Sequence, residues 1–444
     1  MDHEKRKKKK VLRKYILTGA LIPIAALIGL VIIFFALGYR YDFKDKKLYL
    51  SSVLYLNSQP QGAKIYINDK SIGTTKLTNF QVKPGVYSIK LEKDGFKTWQ
   101  AQTNVPPYSV VEIMPYLFYQ TPEELNNIDF SNFIVSFSQK IFFTKNKTIT
   151  YCDLPCDKIR SIDLDSYSIK NAHASQNKLF LDYGKYYLAI DSNDQSQQKY
   201  SYLNFKKIQI KKTIFNDRGI YVLDSNNDLY ALNSEQPTKI ASSVLDIDDF
   251  NNYFLYLTQN GQLINYDTNE KILIKDKIIA NNYSADSLNI ADLKLINYDN
   301  GTIYLKLNND LFEFRNKQAF YIGKNIDKLI TLDGYSAFLN SQGELYLKTP
   351  NDNNYQFVNR YFDEPKNIFF FSPEYIGLIY NKQLKIIETT TKQEFLISNF
   401  NQPIILITPN NETGLSVILN RKIVNYKITE GISFWQKILN VFRK

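Results

Sequence analysis

Two hydrophobic patterns divide this chain. Residues 15–38 carry no charged side chain over 24 positions. As a helix that stretch would reach roughly 36 Å, enough for a hydrocarbon core of about 30 Å. From residue 51 onward the apolar positions alternate instead, in short runs broken by Gly, Pro, Asn and Asp. That is the period of half-buried strands joined by tight turns.

Within the second pattern a hairpin-like unit recurs eight times, starting at 140, 178, 219, 253, 301, 335, 376 and 414. Each unit is strand, polar turn, strand, as in Gly219-Ile-Tyr-Val-Leu-Asp followed by Leu229-Tyr-Ala-Leu. Further short strands, such as 243–250 and 272–274, lie between the units. Four short strands every 40 residues or so is the spacing of a β-propeller blade. A solenoid needs shorter, more regular coils, and a row of sandwiches needs fewer, longer domains. The expectation over 117–430 is therefore a ring of seven or eight blades. The last unit lacks its own fourth strand, and Tyr116-Leu-Phe-Tyr119 is the candidate to supply it.

Charge gives the apolar N-terminal run a direction. Residues 1–14 hold eight basic side chains against Asp2 and Glu4, so about half of the formal net +11 sits there. The remaining charge is interspersed along the chain, which is a solvated surface and not a nucleic-acid stripe. Arg40, Lys44, Lys46 and Lys47 follow the run and are partly offset by Asp42 and Asp45. The positive-inside rule then keeps 1–14 in the cytoplasm and places the chain from about residue 39 outside the membrane. Tyr15, Tyr39 and Tyr41 fall at the two edges, where amphipathic rings favour the headgroup zone, and Pro23 is tolerable in a lipid-buried helix. A cleaved signal peptide, with Ala36-Leu37-Gly38 as its small-residue site, and a buried soluble helix compete with this reading. The run exceeds the 7–15 residues of a signal core, so an uncleaved single-pass anchor is preferred. The basic cluster is read as topogenic charge in preference to a lipid attractor.

Between anchor and repeats, 53–57, 63–70, 86–91 and 96–99 alternate around turns at Pro60-Gln-Gly62, Pro84-Gly85 and Lys93-Asp-Gly95. The order Pro60-Gln61-Gly62-Ala63, Gly73, Pro84-Gly85 and Gly95-Phe-x-x-Trp99 resembles the PEGA domain, a small β-sandwich of surface-associated and membrane-anchored proteins. The resemblance covers 51–116. It departs from the family pattern at Gln61, which stands where the family has Glu, and at Lys76, where Pro is common. It implies extracytoplasmic binding or spacing near the cell surface and no catalytic residue. Gln61 lies in an expected exposed turn, so the lost charge leaves the fold intact.

Composition narrows the chemistry. Aromatic residues make up 14% of the chain, with 33 Tyr and 29 Phe, which favours strands. Two histidines and two cysteines exclude multi-histidine metal centres and zinc ribbons by number alone. Asp224, Asn226 and Asp228, with Glu235, imitate a calcium loop, but Leu229 stands where its sharp turn needs Gly, so a hairpin turn is the better reading. His173 could line a central channel or simply pack. Cys152 and Cys156, three residues apart across a turn, are a candidate disulfide in an oxidising compartment, with two free thiols as the alternative. The two-residue gap of a redox motif is absent. Phe434, Trp435, Ile438, Leu439 and Phe442 share one face of a short C-terminal helix, which could lie on the membrane or dock on the propeller. No nucleophile elbow, Walker loop or zinc signature occurs, so no cofactor and no catalytic residue is expected.

The resulting expectation is an all-β chain apart from its N-terminal transmembrane helix, with a PEGA-like β-sandwich followed by a 7- or 8-bladed β-propeller. Its segments are a basic cytoplasmic stretch (1–14), the helix (15–38), a linker (39–50), the sandwich (51–116), the repeats (117–430) and an amphipathic helix (431–444). The expected role is non-enzymatic: a cell-membrane-anchored, extracytoplasmic binding or scaffold protein of the cell envelope. Its partners would be the lipid bilayer through 15–38 and an envelope protein or cell-wall glycan, with no nucleic acid. The alternative is an extracytoplasmic propeller enzyme, a glycan hydrolase or lyase with its site at the central opening. A convergent pair of buried acids there would favour the enzyme, and a scattered polar lining would favour binding.

Overall fold

Alternating apolar and polar residues become strand almost throughout. The structure is a computed structural model that describes residues 19, 21, 25–43, 46–75, 78–129, 132–137, 140–145, 148–153, 159–162, 169–175, 178–183, 186–191, 193–194, 196–201, 209–232, 237–250, 253–266, 268–273, 292–299, 302–315, 318–411, 414–419 and 422–429. The chain divides into two units, Met1–Gln120 with Thr429–Lys444, and Thr121–Ile428. The basic segment 1–14, Cys156, Glu235 and the C-terminal segment 431–444 lie outside the described residues.

In the first unit, residues 25–36 are helical, and of 15–24 only residues 19 and 21 are described. Among the described residues no helix is long and apolar enough to cross a membrane. Residues 39–50, expected as a linker, instead form an antiparallel hairpin of Tyr39–Asp42 and Lys47–Leu50. Four lysines and arginines and two aspartates hide the alternation of Tyr39, Tyr41, Leu48 and Leu50 in this stretch.

The strands that follow make two sheets. Ser52–Leu56 lies between Thr78–Val82 and a parallel neighbour, Val110–Ile113. Lys64–Ile67 and Gly85–Glu92 are the inner strands of a four-stranded sheet edged by Lys70–Thr74 and Trp99–Val105. Alternate residues of both sheets are buried, Leu54, Leu56, Ile65, Ile89, Leu91 and Trp99 among them. Each large apolar side chain removed from water contributes about 1.5–3 kcal/mol. Residues 116–119, expected to finish the last blade, belong to this unit: Tyr116 bridges Gln59, and Tyr119 bridges Phe96 and stacks on its ring.

The second unit is eight four-stranded antiparallel sheets. Seven are simple meanders spanning 132–162, 171–201, 210–241, 244–273, 293–324, 326–360 and 367–399. The eight sequence units fall on the two middle strands of the eight sheets, the first of which is buried on both faces. Gly219–Asp224 and Gly414–Leu419, for instance, are buried at every position. The eighth sheet takes Ile404–Asn411, Gly414–Leu419 and Lys422–Lys427 from the end of the unit and Glu123–Asp129 from its beginning. That closing strand reads Glu-Glu-Leu-Asn-Asn-Ile-Asp, so acidic side chains conceal its nature.

Apolar clusters join each sheet to the next. Tyr151 shares a cluster with Leu181, Phe180 with Val222, and Leu223 with Phe254. Leu257 shares one with Leu305, Tyr304 with Phe338, and Leu339 with Leu378. Phe400 lies edge-on to Tyr426 at 5.9 Å, bringing the seventh sheet to the eighth. Ile418 and Ile423 of the eighth sheet then pack with Ile141 and Phe143 of the first. This succession is the arrangement of a β-propeller. Each sheet keeps two open edges, and none curls into a barrel.

Candidate functional site

The fifth and sixth sheets enclose a cleft of about 450 Å³. Strand alternation puts Ser336, Phe338 and Asn340 of Tyr335–Asn340 on one face, with Tyr346 and Lys348 of Glu344–Lys348 beside them. Glu313 projects from Asp310–Arg315 of the fifth sheet, and its carboxylate accepts from Lys348 Nζ at 2.5 and 2.6 Å. Both side chains are only 4% exposed, so neither charge has water as an alternative partner. Arg315 Nε lies 3.2 Å from the same carboxylate. Tyr355 shares a 2.8 Å hydrogen bond with Ser336 Oγ. Burial, with Tyr304 and Glu313 nearby, pushes its phenol far above the ordinary range, and it stays neutral.

Above this charged floor the walls are aromatic rings and amides. Phe338 stacks on Tyr346 at 4.8 Å. Phe320, Tyr321, Asn353 and Asn354 complete the mouth, where Tyr321 is half-exposed and both asparagines are exposed. Rings offer a stacking surface and amides offer paired donors and acceptors, which suits a ligand with one apolar and one polar face.

The first strands of successive sheets carry a second polar group. Lys212 Nζ lies 2.9 Å from Asp246 and 3.3 Å from Asp248, joining the third sheet to the fourth. Asp246 Oδ2 also accepts the Leu295 amide of the fifth sheet at 2.9 Å, so one carboxylate fastens three sheets. Burial raises the Asp248 carboxyl while the Lys212 charge opposes it. Asp249 faces away from Lys212, and burial followed by the Asp248 charge pushes it up to about 6. Asp246 and Asp248 thus converge on a lysine and not on a shared substrate position. Among the described residues no group of three His, Cys, Asp or Glu could hold a metal ion.

The other residues singled out in sequence have local roles. His173 stacks on Phe215 at 4.2 Å, between the first strands of the second and third sheets, and burial lowers its pKa. Asp224 Oδ1 accepts from the amides of Asn226 and Asp228 at 3.0 and 2.8 Å, while Asp228 pairs with Lys239 at 2.7 Å. The Asp224 carboxylate holds the hairpin turn, and that of Asp228 ties it to the neighbouring strand Pro237–Ala241. Cys152 is buried in Thr148–Asp153 and is disulfide-bonded.

In the sandwich, Ser58 Oγ donates to Pro60 O at 2.6 Å, and the Ala63 amide donates to Thr75 Oγ1 at 3.0 Å. Lys93 Nζ donates to Gln61 O at 2.7 Å. Backbone oxygens and hydroxyls hold this turn, which accounts for an uncharged side chain at 61. Gly62, Gly73, Gly85 and Gly95 all take positive φ, and Pro84 leads into the second turn.

Residues 51–117 match the family model of the PEGA domain. The match ends within one residue of the boundary expected from the sequence, and it encloses both sheets of the sandwich. No curated protein matches the chain. Among solved structures, the β-propeller domain of Cps50 (Swd1) from Myceliophteria thermophila is similar at 12% identity, covering 69% of this chain and 100% of that one, with a TM-score of 0.41. Sqt1 of Saccharomyces cerevisiae is similar at 10% identity over 70% and 100% of the two chains, with a TM-score of 0.43. BamB of Moraxella catarrhalis is similar at 12% identity over 79% and 90%, with a TM-score of 0.33.

Proposed function

We propose that this protein is a membrane-anchored, extracytoplasmic binding platform of the cell envelope. The observation that carries the reading is the described part of the N-terminal helix. Every residue from 30 to 35 is apolar and between 40% and 61% exposed, so the helix is apolar on all its faces. Such a helix persists only when lipid or protein surrounds it. The uncharged run continues from it back to residue 15, and the excess of basic residues before the run sets the N-terminus in the cytoplasm. The disulfide at Cys152 agrees with an oxidising exterior. We further propose Cys156 as its partner, which non-reducing peptide mapping tests by the mass of the joined fragment.

The eight-sheet unit is the binding element in this reading. Its Glu313–Lys348 and Lys212–Asp246 pairs serve as staples between sheets, and its cleft offers rings and amides to an envelope protein or glycan. The test is a pull-down of the full chain from membranes, with cell-wall glycan as competitor. Retention of a partner that Tyr321→Ala abolishes, with membrane fractionation unchanged, is the expected result. Competition by glycan assigns the ligand class. Extraction of the chain by alkaline carbonate overturns the anchor, and partner retention indifferent to the cleft overturns the platform assignment.

A further inference from the structure

We propose that the helix-proximal end of the PEGA domain is a foot seated in the outer leaflet of the bilayer, with Phe43, Leu48, Val86, Tyr108 and Val110 in the headgroup zone. This rests on the membrane-anchoring reading above and adds to it a fixed posture for the domain.

The join between helix and sandwich leaves no slack. The Leu37 amide donates to Ile33 O at 2.9 Å and the Gly38 amide to Phe35 O at 3.1 Å, which completes the last turn. Gly38 then takes a φ of +85°, and a Cβ there would sit 3.4 Å from the Tyr108 ring. Its carbonyl accepts the Ser51 amide at 2.9 Å, immediately before Ser52–Leu56. The apolar helix thus ends against the domain itself.

The register shows which loops share that end. Ser52 pairs with Val82, Val53 with Val110, and Gly85 with Val105. Ser52 Oγ donates to Pro106 O at 2.6 Å, and Asp42 of the hairpin forms an ion pair with Lys83. Phe43 is 85% exposed, Val110 73%, Tyr108 71%, Val86 64% and Leu48 60%. Single exposed apolar residues are ordinary, but a group this size at one end of a small domain calls for a partner. At the opposite end, Ala63, Phe96, Leu117 and Phe118 are buried.

Lipid is the partner that the surroundings select. The foot is continuous with a helix that is itself apolar on every side. Its rim carries Arg40, Lys46, Lys47 and Lys83, and the described carboxylate among them, Asp42, is already taken by Lys83. The Arg40 guanidinium lies 3.5 Å over the Phe35 ring and donates to Phe35 O at 2.8 Å, so a cation is held at the end of the apolar helix beside the foot. Exposed rings and valines bordered by cations match the apolar-to-anionic gradient of a leaflet surface.

The test uses the full chain in nanodiscs of phosphatidylcholine and phosphatidylglycerol brominated at shallow or deep acyl positions. Phe43→Trp, Tyr108→Trp and Asp94→Trp are compared after subtraction of wild-type emission. Residue 94 lies in the turn at the far end of the same sandwich. The expected result is loss of emission at 43 and 108, stronger with shallow than with deep bromine, and none at 94. Equal emission at all three positions in a chain that resists alkaline carbonate overturns the foot and leaves the anchor standing. Release of the chain by carbonate overturns the anchor and the foot together.

Discussion

The cleft between the fifth and sixth sheets and the helix-proximal end of the PEGA domain both present aromatic rings to solvent, yet they are built in opposite ways. In the cleft, half-exposed Tyr321 shares the lining with Asn353 and Asn354 and with Glu313 of a buried ion pair, so apolar and polar groups are interleaved. At the domain end five large apolar side chains are exposed on neighbouring loops and strand ends, with Arg40, Lys46, Lys47 and Lys83 on the same segments. The first arrangement suits a ligand of matching shape and hydrogen bonds. The second, on the proposal above, suits a lipid phase. Residue type alone does not separate these two uses of Tyr and Phe; the placement of the nearest charge does.

Four substitutions break or sharpen that contrast. The largest effect is expected at the cleft floor: Glu313→Ala strands Lys348 in an apolar interior and should cost about 3–5 kcal/mol. Equilibrium denaturation measures this, and Glu313→Leu with Lys348→Met should regain most of the loss if burial of an unpaired charge is the cause. Next comes Gly377→Ala, where a Cβ would lie 2.1 Å from the Phe369 ring. Forcing that ring aside should cost about 1–3 kcal/mol, and Phe369→Leu in the same chain should relieve it.

Asp249 gives a smaller effect with a definite sign. Its carboxyl is raised from 3.8 to about 6, so the folded state holds a proton that the unfolded state has released. Stability therefore falls as pH rises from 4 to 6 and stays lowered above that. Asp249→Asn should gain about 1 kcal/mol at neutral pH, the full shift being discounted for partial solvation, and should gain nothing below pH 4. Thermal denaturation across this range reads the difference. The smallest effect belongs to the foot: Tyr108→Ser should leave folding stability within about 0.5 kcal/mol of wild type. A larger loss in detergent-free denaturation would mean that Tyr108 packs the domain and does not face lipid.

The repeat was legible because the first middle strand of each hairpin is buried on both faces and carries a long apolar run, and the second alternates. Edge strands were not. Glu123–Asp129 keeps one well-buried apolar residue, Ile128, and looks like an acidic loop. The hairpin at 39–50 was hidden in the same way by charge. The staples had a signal that periodicity of apolar residues does not reveal. Lys212 and Asp246 are 34 positions apart, Glu313 and Lys348 are 35, and Asn359 and Glu394 are 35. Each separation is close to one repeat, and aligning the repeats on their hairpin starts puts Lys212 level with Asp246 and Glu313 within one position of Lys348, while Asn359 and Glu394 fall out of step. For the foot, local sequence showed only scattered apolar residues at 43, 86, 108 and 110, and the pairing of distant strands was needed to assemble them.

The strand Glu123–Asp129 is made near the start of the eight-sheet unit, but its partner Lys422–Lys427 comes after the seven meanders. During synthesis the first of these strands must wait, unpaired, while seven meanders form between it and its mate, and loop closure over that length is slow. The final fastening therefore follows synthesis of all seven meanders. A ribosome stalled before residue 422 would leave the early strand exposed as an edge open to other chains.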